Sequence, residues 1–569
     1  MIASGLVEVT TPYVLLSMMP LGLIALASYS MDLKLESPII VGCFRTFVQL
    51  TLLGLVLRPI FVLGEESIWV VVAYALLMVV VTSVESTARS TYQFKGMFAC
   101  VLTALLLNVT VVSFFAFGLI IRPKPVLWEP QYVIPIIGML LGNCINGVSL
   151  SLNAMLTSLV EGKTEVDLLL SFGGTSMEAS SRLLREAVRT GAMPMLNSMA
   201  VIGIIYIPGM MTGQILGGSS VMTAARYQML IMYLIAMCTF GTILTETFLV
   251  VRIGFDFSKD MLRTERFTKR QERRSFLDVL VDIGRSVFRW CSSSIRRQGN
   301  RNGVTVVVPI NSEADRILTF DVESYVVAPK GELRIHTMQS PDKKTCVLLK
   351  ASQLKYSFPI LSSDERRVLF QNLSFTVSAG EIVLVGGPSG VGKSQLLRLI
   401  AGLVPLEEDV DLSLKGERPT KMALWRQQIR YVTQSKIDIP GTPREFVRRV
   451  TSFRSWQHHH QESSYVPPVD EMIQSCRELL QTWGLEATFL DKNWSVLSGG
   501  EAQRMIVAIA LASRPTVLLL DEATNALDLD TKIRVERSVQ HYATTFGIGV
   551  LWITHDTEQV QRMSTQSYQ

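Results

Sequence analysis

The residues best suited to chemistry lie in the C-terminal half. From Gly387 to Ser394 the chain reads G-x-x-x-x-G-K-S, directly after the apolar run EIVLVG and before the helix-like LLRLIAGL. Glycines let a backbone fold around phosphate oxygens, and a helix start adds a favourable dipole. Lys393 can then reach the β/γ-phosphates, and the Ser394 hydroxyl can bind Mg²⁺. Further along, VLLLDE (517–522) reads as a buried strand ending in two carboxylates. Asp521 would support Mg²⁺, and Glu522 would polarise an attacking water. LSGGE (497–501), Gln434 in RYVTQ, Asp528 in NALD and His555 in WITHD complete an ordered set.

This order resembles the ATP-binding cassette family over about residues 346–569, and the resemblance carries roles to particular positions. Gly387, Pro388, Ser389, Gly390, Val391, Gly392, Lys393, Ser394 and Gln395 would form the ATP loop. Tyr356 in LKYSF would stack on adenine, with plain strand packing as its alternative. Ser498, Gly499, Gly500 and Asp528 would meet nucleotide at the junction with a second copy. Ser394, Gln434 and Asp521 would hold Mg²⁺, while Glu522, His555 and Gln434 would form the hydrolytic set. Asn525 stands where the family more usually has Ser. One cassette per chain, in a family that builds each site from two, implies a homodimer.

These residues need a platform, and the chain supplies two kinds. With 569 residues, two or more domains are expected. Before residue 256 the sequence is a series of apolar runs; the mean hydropathy of +0.32 averages these with an ordinary soluble half. Seven runs approach or exceed the roughly 20 residues a spanning helix needs: about 13–29, 39–57, 67–83, 97–121, 132–152, 193–216 and 227–251. The fold class expected is an all-α polytopic membrane domain of about seven transmembrane helices, followed by an α/β P-loop NTPase domain of cassette type. The expected boundaries are 1–255 for the membrane domain, 256–345 for a basic amphipathic linker and irregular insert, and 346–569 for the ATPase.

Loop charges set the topology. Lys34, Arg89, Lys95, Lys163, Arg182, Arg185 and Arg189 fall on one side. Arg58, Arg122, Lys124 and Arg226 fall on the other. With the basic stretch after the last span, this predicts a multi-pass protein whose ATPase domain and C-terminus are cytoplasmic, in a plasma or internal membrane. The N-terminus has Glu8 and no early Lys or Arg, unlike a cleaved signal peptide. The 161–192 loop reads as one or two cytoplasmic helices, a candidate coupling element or a plain surface helix. Phe276, Leu277, Leu280, Ile283, Val287 and Trp290 are spaced as an amphipathic helix among Arg285, Arg289, Arg296 and Arg297, fit for an anionic membrane surface or for packing on the soluble domain. Seven cysteines scattered along the chain without paired spacing, and six histidines that all lie at position 336 or later, argue against a disulfide framework or a zinc site. The HHH run (458–460) reads as a solvated loop. The net charge of +5 is modest, and no nucleic-acid partner is expected.

The apolar runs carry their own polar residues. Asn143, Asn146, Ser149, Ser151 and Asn153 share one span, as do Gly138 and Gly142; Gly209, Gly213 and Gly217 repeat every four residues beside Pro208. Such features read as a polar path or a close helix seam. MPMLNSMAVIGIIYIPGMMTGQILGG, FRTFVQLTLLG and YVIPIIGMLLGNCINGVSLSLN resemble the FetB-type permease family over about residues 10–252. The resemblance implies an exporter of iron or another metal, or, through plant relatives tied to aluminium tolerance and UDP-glucose transport, a carrier of nucleotide sugar. For metal, eighteen of the 24 methionines precede residue 253, Met193, Met195, Met199, Met210 and Met211 among them, with Cys144, Cys238 and Glu246 in or near spans. Methionine as core filler is the plainer reading. For a nucleotide sugar, Arg45 could meet a diphosphate, or simply pair with Glu246 or Glu85. An ATP-driven membrane regulator that moves no solute is a third alternative.

Overall fold

The computed structural model describes residues 10–121, 129–270, 334–338, 346–359, 366–407, 410–434, 439–458 and 466–565. Phe276 to Trp290 and their arginines, His459, His460, Arg122 and Lys124 lie outside them. The helices in order are α1 (Thr11–Leu16), α2 (Met19–Ser30), α3 (Glu36–Glu66), α4 (Ile68–Ala88), α5 (Met97–Ser113), α6 (Pro130–Glu161), α7 (Lys163–Ser171), α8 (Ser176–Val201), α9 (Gly209–Leu216) and α10 (Val221–Gly254). The chain divides into two compact units. The first holds 1–156, 185–250 and 268–298; the second holds 157–184, 251–267 and 299–569. The start of the 161–192 loop, with α7 and the first turns of α8, therefore belongs to the second unit.

In the first unit six helical stretches among the described residues are long and apolar enough to cross a membrane: Thr11–Ser30, Glu36–Glu66, Ile68–Ala88, Met97–Ile121, Pro130–Glu161 and Val221–Gly254. The 193–216 run, expected as a seventh continuous span, is broken. α8 ends at Val201, Gly203 turns at φ +76°, and Pro208 is the N-cap of α9. Proline has no N–H to continue a helix, so the apolar stretch is divided where its breakers stand. α6 and α10 form the interior of the unit, whereas α3 buries only Gly64.

Among the expected glycines, close helix approach occurs at Gly138, where a Cβ would stand 3.1 Å from Met78 Cε on α4, but not at Gly142, Gly209 or Gly213. A Cβ on Gly209 or Gly213 would meet nothing within 4 Å, and neither would one on Gly142. The tight seam lies at Gly147 and Gly191. A Cβ on Gly191 would stand 2.7 Å from the Gly147 carbonyl oxygen and 2.7 Å from Ser151 Cβ; one on Gly147 would stand 2.9 Å from Thr239 Cγ2. Only glycine lets α6, α8 and α10 meet this closely.

At the end of α10 the chain returns to the second unit through residues 251–267. Residues 258–270, expected as the start of an amphipathic helix, form short strands and a 3₁₀ turn instead. Asp260 at φ +45° and an Asp256 side chain accepting from Ser258 fold the backbone back on itself. The C-terminal half is built on a five-stranded sheet. Four strands are parallel, in the order Ile429–Val432, Val517–Asp521, Gly549–Ile553 and Ile382–Gly386; Arg334–Met338 adds antiparallel at the edge. The strand Val517–Asp521 is buried throughout, as a strand covered on both faces must be. A second, antiparallel sheet pairs Val347–Pro359 with Arg366–Ser378 and Asp411–Leu414.

Candidate active site

The sheet delivers the candidate residues to one edge. After the strand Ile382–Gly386, the loop turns through Gly387 (φ +143°), Gly390 (φ +84°) and Gly392 (φ +101°) into the helix Lys393–Ile400. Conformations of this kind are open to glycine and turn backbone N–H groups towards a common centre. Pro388, Ser389 and Val391 complete the loop. Lys393 Nζ donates to the carbonyls of Gly387 and Pro388, each at 2.8 Å. Burial pushes its pKa down, while Glu522 and Asp521 push it up. Gln395 is on the same helix, and its buried Oε1 has no partner among the described residues.

Asp521 ends its strand 2% exposed, with both oxygens occupied. Oδ1 accepts from the Ser394 hydroxyl at 3.0 Å and Oδ2 from the Tyr431 hydroxyl at 2.9 Å. Burial raises its pKa, and those two hydrogen bonds oppose the rise. Serine hydroxyl, aspartate and glutamine amide are all hard oxygen donors of the kind Mg²⁺ takes, so the residues fit that ion. Glu522 follows at φ +50°, a strained position for a residue with a Cβ. Its Oε1 lies 2.8 Å from His555 Nε2, and its Oε2 accepts from Gln434 at 2.7 Å and Asn525 at 2.5 Å. The structure thus gathers Lys393, Ser394, Gln434, Asp521, Glu522 and His555 into one site.

The remaining residues stand elsewhere in the unit. Ser498 caps the helix Gly499–Ala512 in a reciprocal capping box with Glu501. A Cβ on Gly500 would lie 3.3 Å from the Ala526 carbonyl, so the LSGGE turn is packed against the stretch that carries Asp528. Asp528 caps the helix Leu529–Phe546, accepting from Thr531 N–H at 3.0 Å. Tyr356 stacks on Phe370, with ring centroids 6.0 Å apart.

Sequence reasoning passed over several residues. Tyr431 sits three positions before Gln434 on a wholly buried four-residue strand, where a hydroxyl needs a partner. Arg426 and Arg430 are both 0% exposed. Arg430 donates to the carbonyls of Ser171, Arg426 and Gln427 and to the Ser513 hydroxyl, with the Phe172 and Trp456 rings against it. Burial pulls its pKa down to about 9. Arg426 reaches the Asp260, Lys259, Ala401 and Gly402 carbonyls. Around α7, Glu165 pairs with Arg182, and Asp167 pairs with Arg398 at 2.9 Å. Ser455 and Trp456 donate to the Gly173 and Phe172 carbonyls at 2.7 and 2.9 Å. The start of the 161–192 loop is bolted to the core of the second unit by arginines and backbone acceptors.

In the first unit a separate polar column runs between α6 and α10. The Cys144 and Cys238 thiols are 3.6 Å apart, with Thr239 Oγ1 3.5 Å from Cys144. Two turns along α10, Glu246 is 0% exposed; Oε2 accepts from Ser151 at 3.4 Å, and Oε1 has no partner among the described residues. Arg45 lies 3.7 Å from Glu85, which also takes Arg89; Arg89 in turn donates to Asn146 at 3.1 Å. Asn153 accepts from the Thr91 N–H. Among the described residues no group of three or more His, Cys, Asp or Glu is placed to hold a metal ion.

Comparison with known proteins separates an N-terminal from a C-terminal match. The model of an uncharacterised protein family, UPF0014, matches residues 12–255, and the ABC transporter model matches residues 370–525. UPF0014 membrane protein slr1647 of Synechocystis sp. is 31% identical over 218 residues, covering 38% of this chain and 83% of that protein. The probable iron export ATP-binding protein FetA of Escherichia coli is 34% identical over 196 residues, covering 34% of this chain and 80% of that protein. The nickel import ATP-binding protein NikE of Shigella dysenteriae is 33% identical over 223 residues, covering 38% of this chain and 80% of that protein.

Proposed function

We propose, for a chain that belongs to the UPF0014 membrane family through its N-terminal half and to the ABC transporters through its C-terminal half, that it is a homodimeric, ATP-driven exporter of a metal cation such as iron. The observation that carries the cargo is the buried column of Cys144, Cys238, Thr239, Ser151 and Glu246. Thiols and one uncompensated carboxyl inside a membrane domain suit a cation, and an intramembrane carboxyl is costly unless it serves a path. Arg45 and Arg89, which a diphosphate would need, are already engaged with Glu85. The iron-export name of one relative supports the outward direction, while the nickel-import name of another keeps direction a matter for experiment.

In the reaction, Lys393 turns from the loop carbonyls to the phosphates of ATP, and the loop N–H groups bind the same oxygens. Mg²⁺, when bound, would be held by Ser394, Asp521 and Gln434 and would neutralise phosphate charge. Glu522 orients the attacking water and accepts its proton, and His555 keeps that carboxylate aimed. Gln434 and Asn525 must yield Glu522 Oε2 as the water enters. Rate enhancement comes from positioning and charge, as in phosphoryl transfer generally. Ser498, Gly499 and Gly500 complete the site of the other copy, which is why one chain is not enough. The basic loops support a cytoplasmic ATPase half.

The test is ATPase activity of the full chain in lipid, titrated separately with Fe²⁺ and UDP-glucose, with Glu522→Gln as the blank. Stimulation by Fe²⁺ alone is expected. Stimulation by UDP-glucose alone would overturn the metal reading.

A further inference from the structure

We propose that Arg398 and Asp167 form an electrostatic governor of the Mg²⁺ site: α7 controls how tightly the metal is held by supplying or withdrawing the counter-charge of Arg398. This would stand whichever cargo is carried. Arg398 is on the helix that begins with Lys393 and Ser394, one turn beyond the metal ligand. Its guanidinium is 2.9 Å from Asp167 Oδ2 on α7, with the two side chains only 17% and 12% exposed. The pair borders a cavity of about 220 Å³ lined also by Lys163, Thr164, Tyr431 and Thr433. Tyr431, which lines that cavity, donates to one oxygen of Asp521, whose other oxygen takes Ser394. One short path therefore leads from a helix of the 161–192 loop to the carboxylate expected to hold the metal.

With Asp167 seated, the pair is neutral and Asp521 offers its full negative charge to a cation. If α7 is displaced, or if Asp167 loses its charge, Arg398 is left as an uncompensated cation in a half-buried pocket. It then repels a divalent ion at Asp521, an interaction that low local dielectric makes stronger than in water. Burial disfavours the charge of Arg398, and Asp167 beside it more than offsets that cost. This line is distinct from the Gln434–Glu522 contact, because it acts on the metal ligand rather than on the water-activating carboxylate.

The experiment uses the full chain in nanodiscs, with Glu522→Gln so that ATP is held without turnover. Binding of Mn²⁺ in the presence of ATP is read by electron paramagnetic resonance. Asp167→Asn should weaken Mn²⁺ binding about tenfold, the size expected of one uncompensated nearby charge. Adding Arg398→Gln to Asp167→Asn should restore binding to within about twofold of the parent. Unchanged binding in Asp167→Asn would overturn the proposal. So would a double variant as weak as the single one, since that result means α7 was merely unseated. Arg398→Gln alone, which removes the cation directly, should bind Mn²⁺ at least as tightly as the parent; weaker binding would overturn the proposal as well.

Discussion

Arg430 offers the sharpest test of how the loop start is anchored. Replacing it with alanine removes a guanidinium that is fully buried and has four hydrogen-bond acceptors and two aromatic rings around it. Three backbone carbonyls would lose a donor, at about 1–3 kcal/mol for each that stays buried and dry. The ring contacts are worth about 2 kcal/mol when desolvated. Against this, the variant no longer has to desolvate a charge that burial already disfavours, as its pKa of about 9 shows, and that returns several kcal/mol. The balance expected is a loss of about 3–5 kcal/mol, the range seen when one partner of a buried charged network is removed. At about 2–4 °C per kcal/mol for a unit of this size, the second unit's melting transition should fall by roughly 6–20 °C. Arg430→Lys keeps the charge but not the planar fork or the stacking, and should lose less, about 1–3 kcal/mol. Hydrogen exchange should localise the effect: amides of 163–174 should exchange faster, while those of 517–521 change least. A melting shift under about 2 °C, or unchanged exchange in 163–174, would refute the reasoning that this cation secures α7.

Gly191→Ala should destabilise the membrane unit by about 1–3 kcal/mol, because the new methyl meets Gly147 O and Ser151 Cβ at 2.7 Å; Gly213→Ala, with nothing within 4 Å, should leave the melting temperature in detergent within about 1 °C. Glu522→Gln should cut ATP turnover by at least about 100-fold while retaining bound ATP, measured by phosphate release and by nucleotide retention on a spin column. Asn525→Ala should release one of the two donors on Glu522 Oε2, and phosphate release should rise or hold; a fall beyond about fivefold would show that Asn525 positions the carboxylate instead. Burial pushes the Asp256 carboxyl up, but hydrogen bonds from Ser258 and Arg263 outweigh it and bring its pKa down to about 2. A depressed carboxylate stabilises above its unfolded value near 3.8 and loses that contribution as pH falls through about 2. Asp256→Asn should therefore lower the melting temperature at pH 6 and make less difference as pH approaches 2.

The phosphate loop and its carboxylates were legible because their chemistry demands particular residues at fixed spacing. Gly387, Gly390 and Gly392 take the positive φ that their type advertised, and Asp521 ends a buried strand as VLLLDE implied. The membrane spans were legible from length and apolar content, save where Pro208 and Gly203 divide the 193–216 run. Less visible was what depends on distant pairing. A four-residue glycine repeat at 209–217 looks like a seam from sequence, yet the close approach falls at Gly147 and Gly191, on helices far apart in the chain. Nothing local in the sequence marks Arg398 and Arg426, on helices, or Arg430, on a strand, as buried or half-buried. Their partners, Asp167, the Asp260 carbonyl and the Ser171 carbonyl, lie more than a hundred positions away, and no local period points to them.

The central claim is that ATP hydrolysis by this chain moves a metal cation across a membrane. The direct measurement is Fe²⁺ uptake into sealed liposomes carrying the full chain, using only molecules whose ATPase half faces the bath and adding ATP outside. The account predicts iron accumulation inside the vesicles that requires ATP, is absent with Glu522→Gln, and falls when Glu246→Gln or Cys144→Ser alters the buried column. ATP hydrolysis at full rate with no iron entering the lumen would contradict it.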